Sequence, residues 1–177
     1  MQSEEIINKV AQSGLVSIDL EDFYASGERV IYDLAQNLFQ GLILREKEFR
    51  LFLKEHQWES YAGKNVAIIC SADAIVPTWA YMLLAVHLQP HAKHFVFGSL
   101  EDLEKSLFCE RFSQTDWSVY KGKKVVIKGC SDLPIPLYVY VELSRILRPI
   151  VQSLMFGEPC STVPIYKNPK GLVLPKP

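Results

Sequence analysis

Residues 123–160, KKVVIKGCSDLPIPLYVYVELSRILRPIVQSLMFGEPC, decide how the chain is read, because an earlier stretch follows the same plan. Residues 58–98 laid over residues 117–157, at a constant offset of 59 and without a gap, agree at 14 of 41 positions. Trp58/Trp117, Tyr61/Tyr120, Gly63/Gly122, Lys64/Lys123, Val66/Val125 and Ile68/Ile127 lead into a loop that keeps Asp73/Asp132 and Pro77/Pro136. Beyond it come Tyr81/Tyr140, Leu84/Leu143, Leu88/Leu147, Pro90/Pro149, Phe97/Phe156 and Gly98/Gly157. Agreement in this order identifies an internally duplicated strand, loop, helix and strand unit, and function is to be sought where the copies differ.

The first copy reads as strand 65–70 (NVAIIC), loop 71–76, helix 77–89 and strand 94–98. Its helix, PTWAYMLLAVHLQ, is apolar nearly all round, which predicts deep burial or a subunit contact. The second copy repeats the pattern as strand 123–128, loop 129–135, helix 136–148 and strand 152–156, and its helix has a polar edge at Glu142, Arg145 and Arg148. Between the copies, residues 100–108 form an amphipathic helix and residues 113–121 a connecting loop. Upstream, LVSIDL (15–20) alternates like a strand and ends in Asp19, Glu21 and Asp22. Residues 28–56 carry apolar side chains at helical spacing and are read as two helices divided at Gly41, and residues 1–14 as a short polar helix or frayed end. Strands alternating with helices through short connections predict parallel pairing. The expected fold is therefore α/β: a single layered domain over 1–166 with a mostly parallel sheet of about five strands. A proline- and lysine-rich C-terminal arm, 167–177, ends the segment STVPIYKNPKGLVLPKP and is docked on its own domain or on a second subunit.

A chain of 177 residues is long enough to bury a core, and a net charge of -1 argues against nucleic acid or an anionic membrane as partner. No apolar run approaches the ~20 residues of a membrane span, and the start, MQSEEIINKV, lacks a signal-peptide core, so the expected location is cytoplasmic. In a reducing compartment the four cysteines are core residues, reactive thiols or metal ligands.

Ligands of open α/β sheets bind outside the carboxyl ends of the strands, where CSADAIVP (70–77) and GCSDLPIP (129–136) fall. Cysteine precedes serine at Cys70, Cys130 and Cys160, the first two one position out of register between the copies. Cys130, beyond Gly129, has left the apolar run, whereas Cys70 closes one; Cys160 follows a Gly-Glu-Pro turn past the last strand of the copy. A thiol near a helix N-terminus has a lowered pKa and suits nucleophile or ligand roles. Two thiolates, Cys130 and Cys160, completed by Asp132 or Asp19, make a first shell for zinc or iron. The competing readings are ordinary: buried cysteine as core, and loop aspartate as a cap for backbone N–H groups. His87, His91 and His94 are interrupted by Pro90 and lack a HExxH pattern, and no P-loop, GxGxxG turn or GxSxG elbow occurs.

CSADAIVPTWAYMLL, GCSDLPIPLYVYVELSRILRP and MFGEPCSTVPIYK, with IDLEDFY near the start, resemble an uncharacterised family of Bacteroidetes proteins, domain of unknown function 2480. The resemblance covers nearly the whole chain and carries over no catalytic residue. It implies a genomic neighbourhood of iron-sulfur cluster assembly, which favours a cysteine-based metal-binding accessory factor. The alternatives are a non-enzymatic interaction module, a homodimer formed through helix 77–89 and the C-terminal arm, and a small-molecule enzyme with Cys130 as nucleophile.

Overall fold

Asn65, Val66, Ala67 and Ile68 are all buried, so the strand they form needs apolar cover on both faces. This requirement organises the chain. The structure, a computed structural model, describes residues 14–129, 132–158 and 161–169. The expected N-terminal helix and nearly all of the arm lie outside the described residues. In chain order the elements are β1 (Leu15–Ile18), β2 (Arg29–Asp33), α1 (Glu46–Glu55), β3 (Asn65–Ile69), α2 (Thr78–Leu88), β4 (His94–Phe97), α3 (Leu100–Ser113), β5 (Lys124–Ile127), α4 (Leu137–Leu147), β6 (Ser153–Glu158) and β7 (Ser161–Lys167). The chain divides into two compact units: Ala25–Cys109 forms one, and the stretches on either side of it form the other.

In the Ala25–Cys109 unit the strand order is β2-β3-β4, all parallel. Side chains alternate across the central strand. Val66 and Ile68 join a cluster with Tyr32, Phe49, Leu53 and Ala80, Leu84 and Leu88 of α2, while Ala67 meets Leu103 and Leu107 of α3 on the other face. Each face of β3 is thus closed by helices, as the near-continuous apolar run NVAII requires. Arg29 reaches the buried Glu104 carboxylate at 2.6 Å, so the charge inside this unit is paired.

In the other unit the order is β1-β5-β6-β7; β1, β5 and β6 are parallel and β7 is antiparallel to β6. Val125, Val126 and Ile127 of β5 are buried, as are Val139, Leu143 and Leu147 of α4 at i, i+4 and i+8. Phe23, Phe112 and Trp117 pack together, with Phe23 stacked on Trp117 at 5.6 Å and edge-on to Phe112 at 5.4 Å. Each unit also turns into its central strand in the same way. The Trp58 indole donates to the Leu53 carbonyl at 2.7 Å, and the Trp117 indole to the Phe112 carbonyl at 2.9 Å.

Two expectations change. Among the described residues seven strands lie in two sheets, of four and three, instead of one sheet of about five. The first missed strand, β2, was hidden in the helical pattern of residues 28–56, where only α1 is a full α-helix. RVIYD is rich in β-branched and aromatic side chains, and it places Val30 and Tyr32 on the core while Ile31 faces solvent. Leu34 and Leu38 continue its spacing and imitate a helix. The second missed strand, β7, contains Pro164, which an edge strand tolerates because its outer side needs no ladder bond. With β2 and β7 counted, each unit completes its own sheet.

His56 follows α1 and lies among aromatic rings, 4.8 Å from Phe52 and 4.5 Å from Trp58. Its Nε2 is buried without a hydrogen-bond partner among the described residues. Burial holds its pKa below the ordinary value of 6.5. Below that value the unfolded chain binds the proton more readily than the folded one, so stability falls as pH drops through the window beneath 6.5. Thermal melts between about pH 7.5 and pH 5 should show a shallower loss for His56→Phe than for the wild type. Parallel slopes would remove His56 from the acid response.

Candidate functional site

The carboxyl ends of the parallel strands in the two sheets share a construction. Asp19 ends β1 and caps the 3₁₀ turn Leu20–Phe23, accepting from the Glu21 N–H at 3.1 Å. Its other oxygen accepts from Lys128 Nζ at 2.7 Å, one residue past β5. The hydrogen bond from Lys128 holds the Asp19 carboxyl below its ordinary value, and the same bond raises Lys128, with Glu158 and Asp22 adding to the field. In the other unit Asp33 ends β2 and caps the turn Leu34–Asn37 through the Ala35 N–H at 3.0 Å. It also accepts from the Ser71 N–H at 3.0 Å and from the Ser71 hydroxyl, and that hydroxyl bond is the first cause of its lowered pKa.

Each aspartate therefore ties the end of the first strand to the loop leaving the central strand. Register makes the two equivalent: Ile18 pairs with Ile127, and Tyr32 pairs with Ile68, the position 59 residues earlier. Asp33 was not among the sequence-derived candidates, because its strand was read as helix. The signal was present in the repeated Asp-Leu that closes LVSIDL and RVIYDL.

The expected metal ligands have divergent fates. Asp19 is occupied by Lys128 and by its capping bond. Asp132 is exposed, as is Asp73, its partner in the sequence match. Cys130 and Cys160 lie outside the described residues. Among the described residues no group of three or more His, Cys, Asp or Glu is placed to hold a metal ion. Cys70 is half-buried against the apolar cluster, its thiol 3.7 Å from the Ala72 carbonyl. His87 lies on Trp58 at 5.3 Å and His94 bonds the Ser106 hydroxyl at 2.8 Å, so these histidines serve separate contacts.

Packing around the second loop is close. A Cβ at Gly129 would come within 2.8 Å of the Phe156 ring, which also meets Tyr140 edge-on at 5.8 Å. Gly129, which opens the loop after β5, thus rests on the end of β6.

The outward face of α2 is apolar and uncharged. TWAYMLLAVHL contains no acidic side chain, lysine or arginine, and its outer positions Met82 and Val86 are 65% and 68% exposed. Ile75, before the helix, is 94% exposed, and Phe97, at the end of β4, is 70% exposed. On α4 the matched stripe exposes Leu137 and Val141 but continues into Arg145, which is bonded to Glu142. The expected deep burial of α2 is therefore met on one side only. Among the described residues no helix is long and apolar enough to cross a membrane.

Two glycines at the edge of the second loop give a stability test. Gly157 has φ +120° and a Cβ there would meet the Ser161 carbonyl oxygen at 2.6 Å, whereas at Gly129 the obstacle is a side-chain ring. Gly157→Ala should cost about 2 kcal/mol or more and Gly129→Ala about 1 kcal/mol, read from urea midpoints. The reverse order would contradict this packing.

No curated protein and no solved structure matches the chain. The family model described as protein of unknown function, DUF2480, matches residues 4–168, and the chain belongs to that family.

Proposed function

We propose that this chain is a non-enzymatic interaction protein of the cytoplasm, and that two copies meet through the outward face of α2. The observation that carries this reading is the uncharged helix with Met82 and Val86 two-thirds exposed. A contiguous apolar patch of that kind on a folded protein marks a docking surface. Its best complement is its own copy: a stripe without charge sets no like charges against each other when it meets itself, so both partners desolvate at low cost. The matched stripe on α4 brings Arg145 instead of Val86 and lacks that property.

Sedimentation velocity over a dilution series should show a reversible dimer for the wild type. Met82→Lys with Val86→Lys should weaken it at least tenfold, about 1.4 kcal/mol, while leaving the melt unchanged. A wild type that stays monomeric into the high micromolar range contradicts the reading.

A second reading, a zinc or iron site serving iron-sulfur cluster assembly, is supported by the match between the units. Ser71 stands 59 residues before Cys130 and is bonded to Asp33, the counterpart of Asp19. On this reading Cys130 and Cys160, which follow β5 and β6 in the sequence, supply thiolates, and Asp19 or Asp132 completes the shell. The two units are then copies of one ancestral fold, of which only one carries two thiols after its strands at this edge, against the single Cys70 of the other. Elemental analysis after anaerobic purification should find metal that is lost in Cys130→Ser and Cys160→Ser. Lys128→Met, which releases Asp19, should tighten binding if Asp19 is the ligand and leave it unchanged if Asp132 is. Metal-free wild-type protein contradicts this reading.

A further inference from the structure

Among the described residues a groove opens at the amino end of the four-stranded sheet. Strand register places Leu15, Lys124, Ser153 and Lys167 side by side across β1, β5, β6 and β7. Paired residues of neighbouring strands point to one face, and so do residues two apart, so Met155 and its partner Pro164 stand on the same side. The other face carries Ile127 and Phe156, and Phe156 meets Tyr140 of α4, so the row lies on the side away from α4. There these residues line a groove of about 410 Å³, with Tyr166 at its rim.

The groove combines two features. Its floor is apolar, from Leu15, Met155 and Pro164, and Lys124 and Lys167 are both exposed above it. Neither lysine forms an ion pair among the described residues. One strand lies between β5 and β7, so the two backbones are about 9.5 Å apart, two inter-strand spacings. Val126, two residues on from Lys124 and on the same side as Met155, is fully buried, so the opening is confined to the amino-end row. An apolar groove flanked by two exposed lysines is complementary to a chain bearing carboxylates between apolar side chains.

We propose that this groove docks an acidic, apolar-alternating peptide segment of a partner protein, with its carboxylates on Lys124 and Lys167 and its apolar side chains on Met155 and Pro164. A long polyanion such as nucleic acid fits poorly, since two lysines on an apolar floor in a chain of net charge -1 release few counterions. The site is separate from α2 and does not depend on self-association there.

The chain has three methionines, Met1, Met82 and Met155, so ¹³C-methyl-methionine labelling gives Met155 its own resonance. Full-length protein is titrated with the hexapeptide Leu-Glu-Ile-Glu-Leu-Glu and, separately, with Leu-Lys-Ile-Lys-Leu-Lys. The acidic peptide should shift Met155 saturably, with Kd below about 1 mM, and weaken as salt is raised; the basic peptide should not. Lys124→Gln with Lys167→Gln, surface changes that leave the fold intact, should reduce the affinity at least tenfold. An unmoved Met155, or equal response to both peptides, overturns the proposal. So does a Met155 shift produced by protein concentration alone, which would assign the groove to a second copy.

Discussion

Burial of the central strand on both faces is the constraint on which the rest of this structure depends. A run such as NVAII has no solvent face, and its backbone can be stable only inside a sheet with cover above and below. In the Ala25–Cys109 unit α1 and α2 supply one cover and α3 the other. The outer surfaces of those covers are then free to carry function. Most carry charge, as in the Arg50–Glu46 pair on α1. The outer face of α2 and the amino-end row of the four-stranded sheet do not fit that pattern, one for lack of charge and the other for unpaired charge on an apolar floor.

The carboxyl edges show a different economy. In each unit one aspartate satisfies the N–H of the second residue of a 3₁₀ turn and bonds the segment that leaves the central strand. Both effects fix the geometry of a loop that stands where α/β proteins place ligands. The partner differs: a serine in one unit and a lysine in the other. At the Asp33 edge the arrangement is a neutral donor on a carboxylate, and at the Asp19 edge it is an ion pair within reach of Glu158 and Asp22. The two edges are built alike and electrostatically distinct.

Much of this was legible in the sequence. The matched stretches 58–98 and 117–157 locate β3, α2 and β4 and then β5, α4 and β6 within a residue or two, because short apolar runs and a proline before each helix set their bounds. β2 was not legible, since Val30, Ile31, Leu34 and Leu38 satisfy a helical period as well as a strand followed by a 3₁₀ turn. The division into two sheets followed from that strand and so was missed with it. Asp19 was found for its position at a strand end, but its bond to Lys128 joins residues 109 apart and no local pattern reports it. The apolar character of α2 was plain from its composition; which side stayed open depended on where α1, β2 and β3 came to lie.

The central claim, that the open side of α2 is where two copies meet, is tested most directly at Met82 itself. The ¹³C-methyl resonance of Met82 should move with protein concentration and sharpen on dilution, while that of Met155 stays in place. A Met82 resonance unchanged from dilute to millimolar protein would contradict it.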